Sequence, residues 1–145
     1  MNVDKDQFCI NAKPQPEEIL LGKKNELINA VVYLKPALGA KVEVNPKYEE
    51  ALKKQVKLDN NGCMFHPRVF AARVGQELRI TNSDPVGHNT NIVHLGFNQM
   101  VAKDAPNKVK VSKPSNVPVP IVCSIHPLDE VVHGLPGSSL HGGNR

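Results

Sequence analysis

The chain has 145 residues, of which 40% are apolar and only 4% aromatic, with no Trp. That length suits a single core, and a core so poor in rings must be built from aliphatic side chains. The net charge is +4, but Lys is interleaved with Glu and Asp. With no block of like charge and no aromatic stacking platform, nucleic-acid binding is not expected. No apolar run approaches the roughly eighteen residues of a membrane span, and the polar opening 1–9 carries no signal-peptide pattern.

Twelve Pro and ten Gly are spread along the chain, a pattern of short strands and many turns rather than a helical bundle. The β-branched run 27–34 (LINAVVYL), stopped by Lys35-Pro36, predicts the first strand. Asn45-Pro46 opens KYEEALKK, a short surface helix with Pro at its start. A second strand begins over 55–58 and is stopped by Asp59-Asn60-Asn61-Gly62, a turn composition. Strands at 69–73 and 77–82 follow; in ELRITN, Leu78 and Ile80 alternate with Arg79 and Thr81, as in a half-buried strand. After a loop at 83–87, residues 90–93 and 108–111 read as extended. The Pro-interrupted stretch 117–122 reads as an edge strand or one bordering a loop. About seven short strands at this spacing predict an all-β Greek-key sandwich over 1–127, with one short surface helix. The Gly-, Ser- and His-rich stretch 128–145 reads as an atypical, disordered tail.

Three cysteines are present: Cys9, Cys63 and Cys123. In an exported protein an odd number lets two pair and leaves one for chemistry. Cys123-Ser124-Ile125-His126-Pro127 follows a strand end, and His88 lies in the loop Asp84-Pro85-Val86-Gly87-His88-Asn89. One thiolate and two imidazoles form the ligand set of a type 1 copper site, where soft sulfur suits Cu(I) and nitrogen tolerates Cu(II). Taken alone, the Cys-x-x-His pair fits equally well a small buried thiol beside a loop histidine. A closed zinc site would need a fourth ligand, Cys9 or Cys63.

The stretch 63–127 resembles the plastocyanin-like branch of the cupredoxin family, found in exported bacterial proteins, some of them called methylamine-utilisation proteins. The resemblance is carried by GCMFHPRVFAARVGQELRITNSDPVGHNTNI and PVPIVCSIHP, and reaches back to DKDQFC and NAVVYLK. It implies that His88, Cys123 and His126 are equatorial ligands of one copper ion and that the protein shuttles single electrons to a redox partner protein. It also implies that electrons enter and leave at the His126 edge, that Asn89 braces the copper loop by a hydrogen bond, and that Cys9 and Cys63 form a disulfide. The setting it implies is periplasmic or secreted, with a leader absent from this chain.

The pattern breaks after His126-Pro127. The family continues with Trp-Met-Lys and a closing strand, the Met being the weak axial ligand; here Leu128-Asp129-Glu130 stands there, with Asp129 in the place of the Met. Codons for Trp-Met-Lys read one base out of step can encode Leu-Asp-Glu, so the expectation is a domain truncated at its C-terminus, its closing strand missing. Asp129, water or nothing would then occupy the axial position. His66 and His94 read as loop histidines, Met64 and Met100 as filling, His133 and His141 as tail residues, and Lys35, Lys41, Lys53 and Lys54 as a solvated face. No Ser-His-Asp order, paired carboxylates or phosphate-cradling Gly loop suggests an enzyme. The competing readings are a metal-free β-sandwich module that has lost the site, and a copper carrier.

Overall fold

The computed structural model describes residues 7–15, 19–32, 45–115, 117–126 and 132–135. The fold is the expected all-β sandwich, with more strands than the sequence suggested. Strands β1 (Leu20–Leu21) and β2 (Leu27–Ile28) form a small hairpin. The main sheet has the order β4-β3-β6-β9, built from β3 (Val56–Asn61), β4 (Met64–His66), β6 (Glu77–Asn82) and β9 (Asn107–Lys110). A second sheet has the order β10-β11-β5, from β5 (Val69–Ala71), β10 (Val119–Ile121) and β11 (Val132–Leu135). A hairpin of β7 (His88–Ile92) and β8 (Phe97–Val101) turns through a short 3-10 segment, Val93–Leu95. Two short helices, α1 (Gln7–Ala12) and α2 (Lys47–Leu52), complete the described elements.

The core follows from alternation. In β6, Leu78, Ile80 and Asn82 point inward while Arg79 is exposed. Leu58, Phe65, Leu78, Ile80, Ile92, Val101 and Ile121 are each no more than 2% exposed and pack as one cluster that also includes Cys123. Burial of these apolar surfaces, aliphatic apart from Phe65 and Cys123, is the main favourable term in the fold.

Several expectations need correction. Strand β3 runs through Asn61, three residues past its predicted stop. Asp59 and Asn60 are tolerated there because Asp59 accepts from the Thr81 and Ser83 hydroxyls, and Asn60 Nδ2 donates to the Thr81 carbonyl at 3.0 Å. The chain reverses instead at Gly62-Cys63, both with positive φ (63° and 58°), and Asn61 pairs with Met64 across them; this is the two-residue hairpin of the type I′ kind. Of the described part of the stretch 27–34, residues 27–32, only Leu27–Ile28 is strand, and both residues are exposed. Asn29 adopts φ 58°, which ends the extended run; residues 33 and 34 lie outside the described residues.

The stretch expected as a structureless tail contains β11. It pairs antiparallel with β10 and parallel with β5. A strand thus stands between β10 and β5 where the sequence predicted none. The rest of 128–145, including Asp129 and His141, lies outside the described residues, as do Lys35 and Lys41. Among the described residues no helix is long and apolar enough to cross a membrane.

Candidate metal centre

The loop after β6 is built around Asn82, whose side chain points inward. Its Nδ2 donates to the carbonyls of Val86 (2.7 Å) and Val101 (3.0 Å), and its Oδ1 accepts from the Asp84 N–H at 2.9 Å. These bonds fold residues 83–87 back over the end of the sheet and deliver the chain into β7. His88 is therefore the first residue of a strand, not a loop residue as the sequence suggested. A strand position also explains why its ring is fully enclosed.

Cys123 and His126 arrive from the other side, on the segment that leaves β10. An isolated bridge between Asn91 and Val122 ties that segment to β7, with N···O distances of 2.9 and 3.1 Å in the two directions. It stops one residue short of Cys123, so the ladder itself sets the sulfur beside β7. The sequence-predicted trio is brought together. The Nδ1 atoms of His88 and His126 lie 3.2 Å apart, and the Cys123 sulfur lies 3.6 Å from His126 Nδ1. One donor atom from each of the three residues lies within 4.8 Å of the others, and all three side chains are buried. The two rings meet edge to face, centroids 4.9 Å apart.

Asp84 carries no metal-ligand motif of its own, although it stands four residues before His88 in SDPVGHN. Its Oδ2 accepts from His88 Nε2–H at 2.8 Å and from the Cys63 N–H at 2.8 Å; its Oδ1 accepts from the Gly62 N–H at 2.7 Å. A carboxylate can only accept, so the proton of a neutral His88 resides on Nε2. Its Nδ1 then presents a lone pair towards Cys123 and His126. A histidine whose outer nitrogen is held by a carboxylate is the usual arrangement behind a metal ligand.

Asn89, the second residue of β7, ties the strand that carries His88 to the segment that carries Cys123 and His126. Its backbone N–H donates to the Cys123 sulfur at 3.4 Å, and its Oδ1 accepts from the Ser124 N–H at 3.1 Å. Its Nδ2 donates to Asn98 Oδ1 at 2.6 Å. Cys9 and Cys63 are joined in a disulfide, and Cys123 is the free cysteine. His66 is exposed on β4, and His94 Nε2 lies 3.3 Å from the Lys113 carbonyl. Among the described residues neither joins a group of metal-capable side chains. Met100 is exposed on β8, and Lys53 makes a surface pair with Glu50.

The donor set fits a single metal ion. Donors held about 2.0–2.3 Å from one centre, as imidazole and thiolate are, stand about 3–4 Å from each other at tetrahedral to trigonal angles. The observed 3.2 and 3.6 Å separations fall in that range. Soft sulfur with two imidazoles selects among metals in favour of copper or zinc. Among the described residues the three enclosed candidate donors are one short of a closed structural zinc site, and Cys9 and Cys63 are committed to each other.

The fold and these side chains define an all-β sandwich carrying a buried Cys-His-His cluster at one end. No protein-family model matches the sequence, and no curated protein matches it. Among solved structures, the Cu-containing nitrite reductase from Thermus scotoductus SA-01 aligns with TM-score 0.47 and 22% identity, covering 69% of this chain and 26% of its own. This chain therefore spans about a quarter of that protein. Amicyanin from Paracoccus versutus aligns with TM-score 0.47 and 14% identity, over 57% of this chain and 82% of its own. A purple cupredoxin from Nitrosopumilus maritimus gives 0.46 and 18%, over 55% and 98%. These likenesses are partial in length and low in identity; the site stands on this chain's own side chains.

Proposed function

We propose that His88, Cys123 and His126 hold one copper ion and that the protein is an electron carrier rather than an enzyme, passing single electrons to a partner protein. The observation that carries this reading is the convergence of three buried side chains, with His126 Nδ1 3.2 Å from His88 Nδ1 and 3.6 Å from the Cys123 sulfur and one donor atom of each within 4.8 Å of the others. Copper held there would supply one-electron redox chemistry between Cu(I) and Cu(II). The protein's part is to keep the ligands in one geometry for both oxidation states. Asp84 fixes the ring of His88, the Asn89 side chain fixes the loop through Ser124, and the Asn89 N–H donates to the Cys123 sulfur. A hydrogen bond to a thiolate stabilises its negative charge and so favours the oxidised state less than a bare thiolate would.

His126 is the most exposed of the three ligands at 6%, against 4% for Cys123 and 0% for His88. That supports His126 as the edge for electron entry and exit. The axial position is assigned to no described residue; Asp129 is the candidate from the sequence. A periplasmic or secreted setting is supported by the Cys9–Cys63 disulfide, since such bonds persist in oxidising compartments. The domain is proposed to span 1–127, with β11 from the following stretch added to its second sheet.

The test is to add Cu(II) to the purified protein and record the visible spectrum. An intense thiolate-to-copper band that disappears in Cys123→Ser is the expected result. Tight but colourless binding would point to a copper carrier, and no binding to a metal-free module. Either would overturn the electron-transfer reading.

A further inference from the structure

Cys63 takes part in two interactions. Its sulfur is bonded to Cys9 on α1, across a sequence separation of 54. Its backbone N–H, with that of Gly62, holds the two oxygens of Asp84, and Asp84 holds His88 Nε2. Cys9, Cys63, Asp84 and His88 are all at most 5% exposed. The Cys63 sulfur, an Asp84 oxygen and a His88 nitrogen lie within 4.8 Å of one another. With the sulfur committed to a disulfide, this second group is not a metal site. It is a continuous line of contacts from α1 to a ligand ring.

The turn that carries the two amides needs support. Gly62 accepts a left-handed backbone freely, but Cys63 bears a side chain at φ 58°, a region that L residues with a Cβ adopt at a cost. Only if both residues keep this conformation do their N–H groups converge on one carboxylate. A covalent bond at Cys63 restrains the residue whose conformation is the less favourable of the pair.

We propose that the Cys9–Cys63 disulfide is a positioning element of the metal centre: it pins the Gly62-Cys63 turn, whose amides orient Asp84, which in turn holds His88 with Nδ1 towards Cys123 and His126. The inference rests on the copper reading for its purpose, but not for its geometry.

The test uses the full chain with and without metal. In metal-free protein, hydrogen exchange at the amides of residues 62 and 63 and the tautomer of His88, read by nitrogen NMR, are compared between parent and the Cys9→Ala/Cys63→Ala variant. We expect exchange at those two amides to rise at least roughly tenfold, as an unpinned turn opens locally, and the His88 ring to lose its single Nε2–H tautomer, with the β6 amides unchanged. Copper affinity should fall about 10–100-fold, as for other partners behind a ligand. Adding Asp84→Asn to the bridge-less chain should cost little more, because the two changes break one line of contacts.

Unchanged amides and tautomer, an unchanged affinity, or additive losses would each overturn the proposal. So would global unfolding of the bridge-less chain, which would make the bond a staple of the whole sandwich. If even the parent binds no copper, the copper reading fails, while the metal-free measurements still decide the positioning role.

Discussion

Asn89 offers the sharpest test of how the His88 strand and the Cys123–His126 segment are joined. Its side chain is 8% exposed and links Ser124, between Cys123 and His126, to β8. Asn89→Ala removes the acceptor for Ser124 N–H at 3.1 Å and the donor to Asn98 Oδ1 at 2.6 Å. At about 1 kcal/mol net for each bond, the loss is about 2 kcal/mol, or roughly 30-fold in the folded-to-unfolded ratio. For a chain of this size that corresponds to a fall in Tm of about 4–8 °C. The Asn89 N–H donated to the Cys123 sulfur is backbone and survives the change, so copper binding should weaken, by about 10–100-fold, rather than vanish. Asn89→Asp separates the two halves. It keeps the acceptor for Ser124, and exposed Asn98 can turn its amide to donate, so affinity should stay near the parent's. Urea melts and copper titrations of the three proteins would measure this. An Asn89→Ala chain within about 0.3 kcal/mol of the parent, with equal affinity, would refute the loop-bridge reasoning.

Two further predictions concern the scaffold. Gly75 has φ 99°, a Cβ added there would meet nothing within 4 Å, and its N–H donates to the Val111 carbonyl at 2.8 Å. Gly75→Ala should therefore cost about 1–2 kcal/mol through backbone strain alone. Because it lies at the far end of β6 from Asp84, copper affinity should not change; a parallel loss of both would contradict this. Asp59 is the acid-sensitive group of β3: burial would raise its carboxyl, but the Thr81 and Ser83 hydroxyls and Lys57 together hold it below the ordinary value. A folded value below the unfolded one means its contribution is present above the unfolded value, near about pH 4, and is lost as pH falls through the folded one. The part-exposed site limits that contribution to under about 1 kcal/mol. The stability gap between parent and Asp59→Asn should thus close in urea melts taken from about pH 7 down to about pH 2; a constant gap would show that the carboxylate charge is not involved.

The elements legible in the sequence are those whose pattern repeats locally. β6 is readable to the residue because Leu78 and Ile80 alternate with polar neighbours, and α2 because Asn45-Pro46 marks its start. β8 is not: in FNQMV three consecutive residues are exposed, so no alternation shows, and the strand exists because β7 pairs with it. β4 is only three residues long, too short for any period. The run 27–34 fails in the opposite sense, since β-branched composition alone cannot reveal the turn at Asn29.

At the site, chemistry was legible where geometry was not. Cys123, His126 and His88 could be chosen from residue type and from the resemblance of their motifs, because few side chains combine soft sulfur with imidazole nitrogen. The odd cysteine count likewise leaves at least one sulfur without a disulfide partner inside the chain. Convergence of the candidate ligands was decided by long-range pairing: the Asn91–Val122 bridge sets Cys123 beside β7, joining stretches far apart along the chain. The same is true of Asp84, whose role depends on two amides in a turn well before it in sequence. Hydrogen bonds between distant backbone groups leave no mark in residue type, since every residue except Pro carries the same amide. Residue type and the resemblance of the motifs therefore named the candidate ligands, and only the tertiary fold could assemble what holds them.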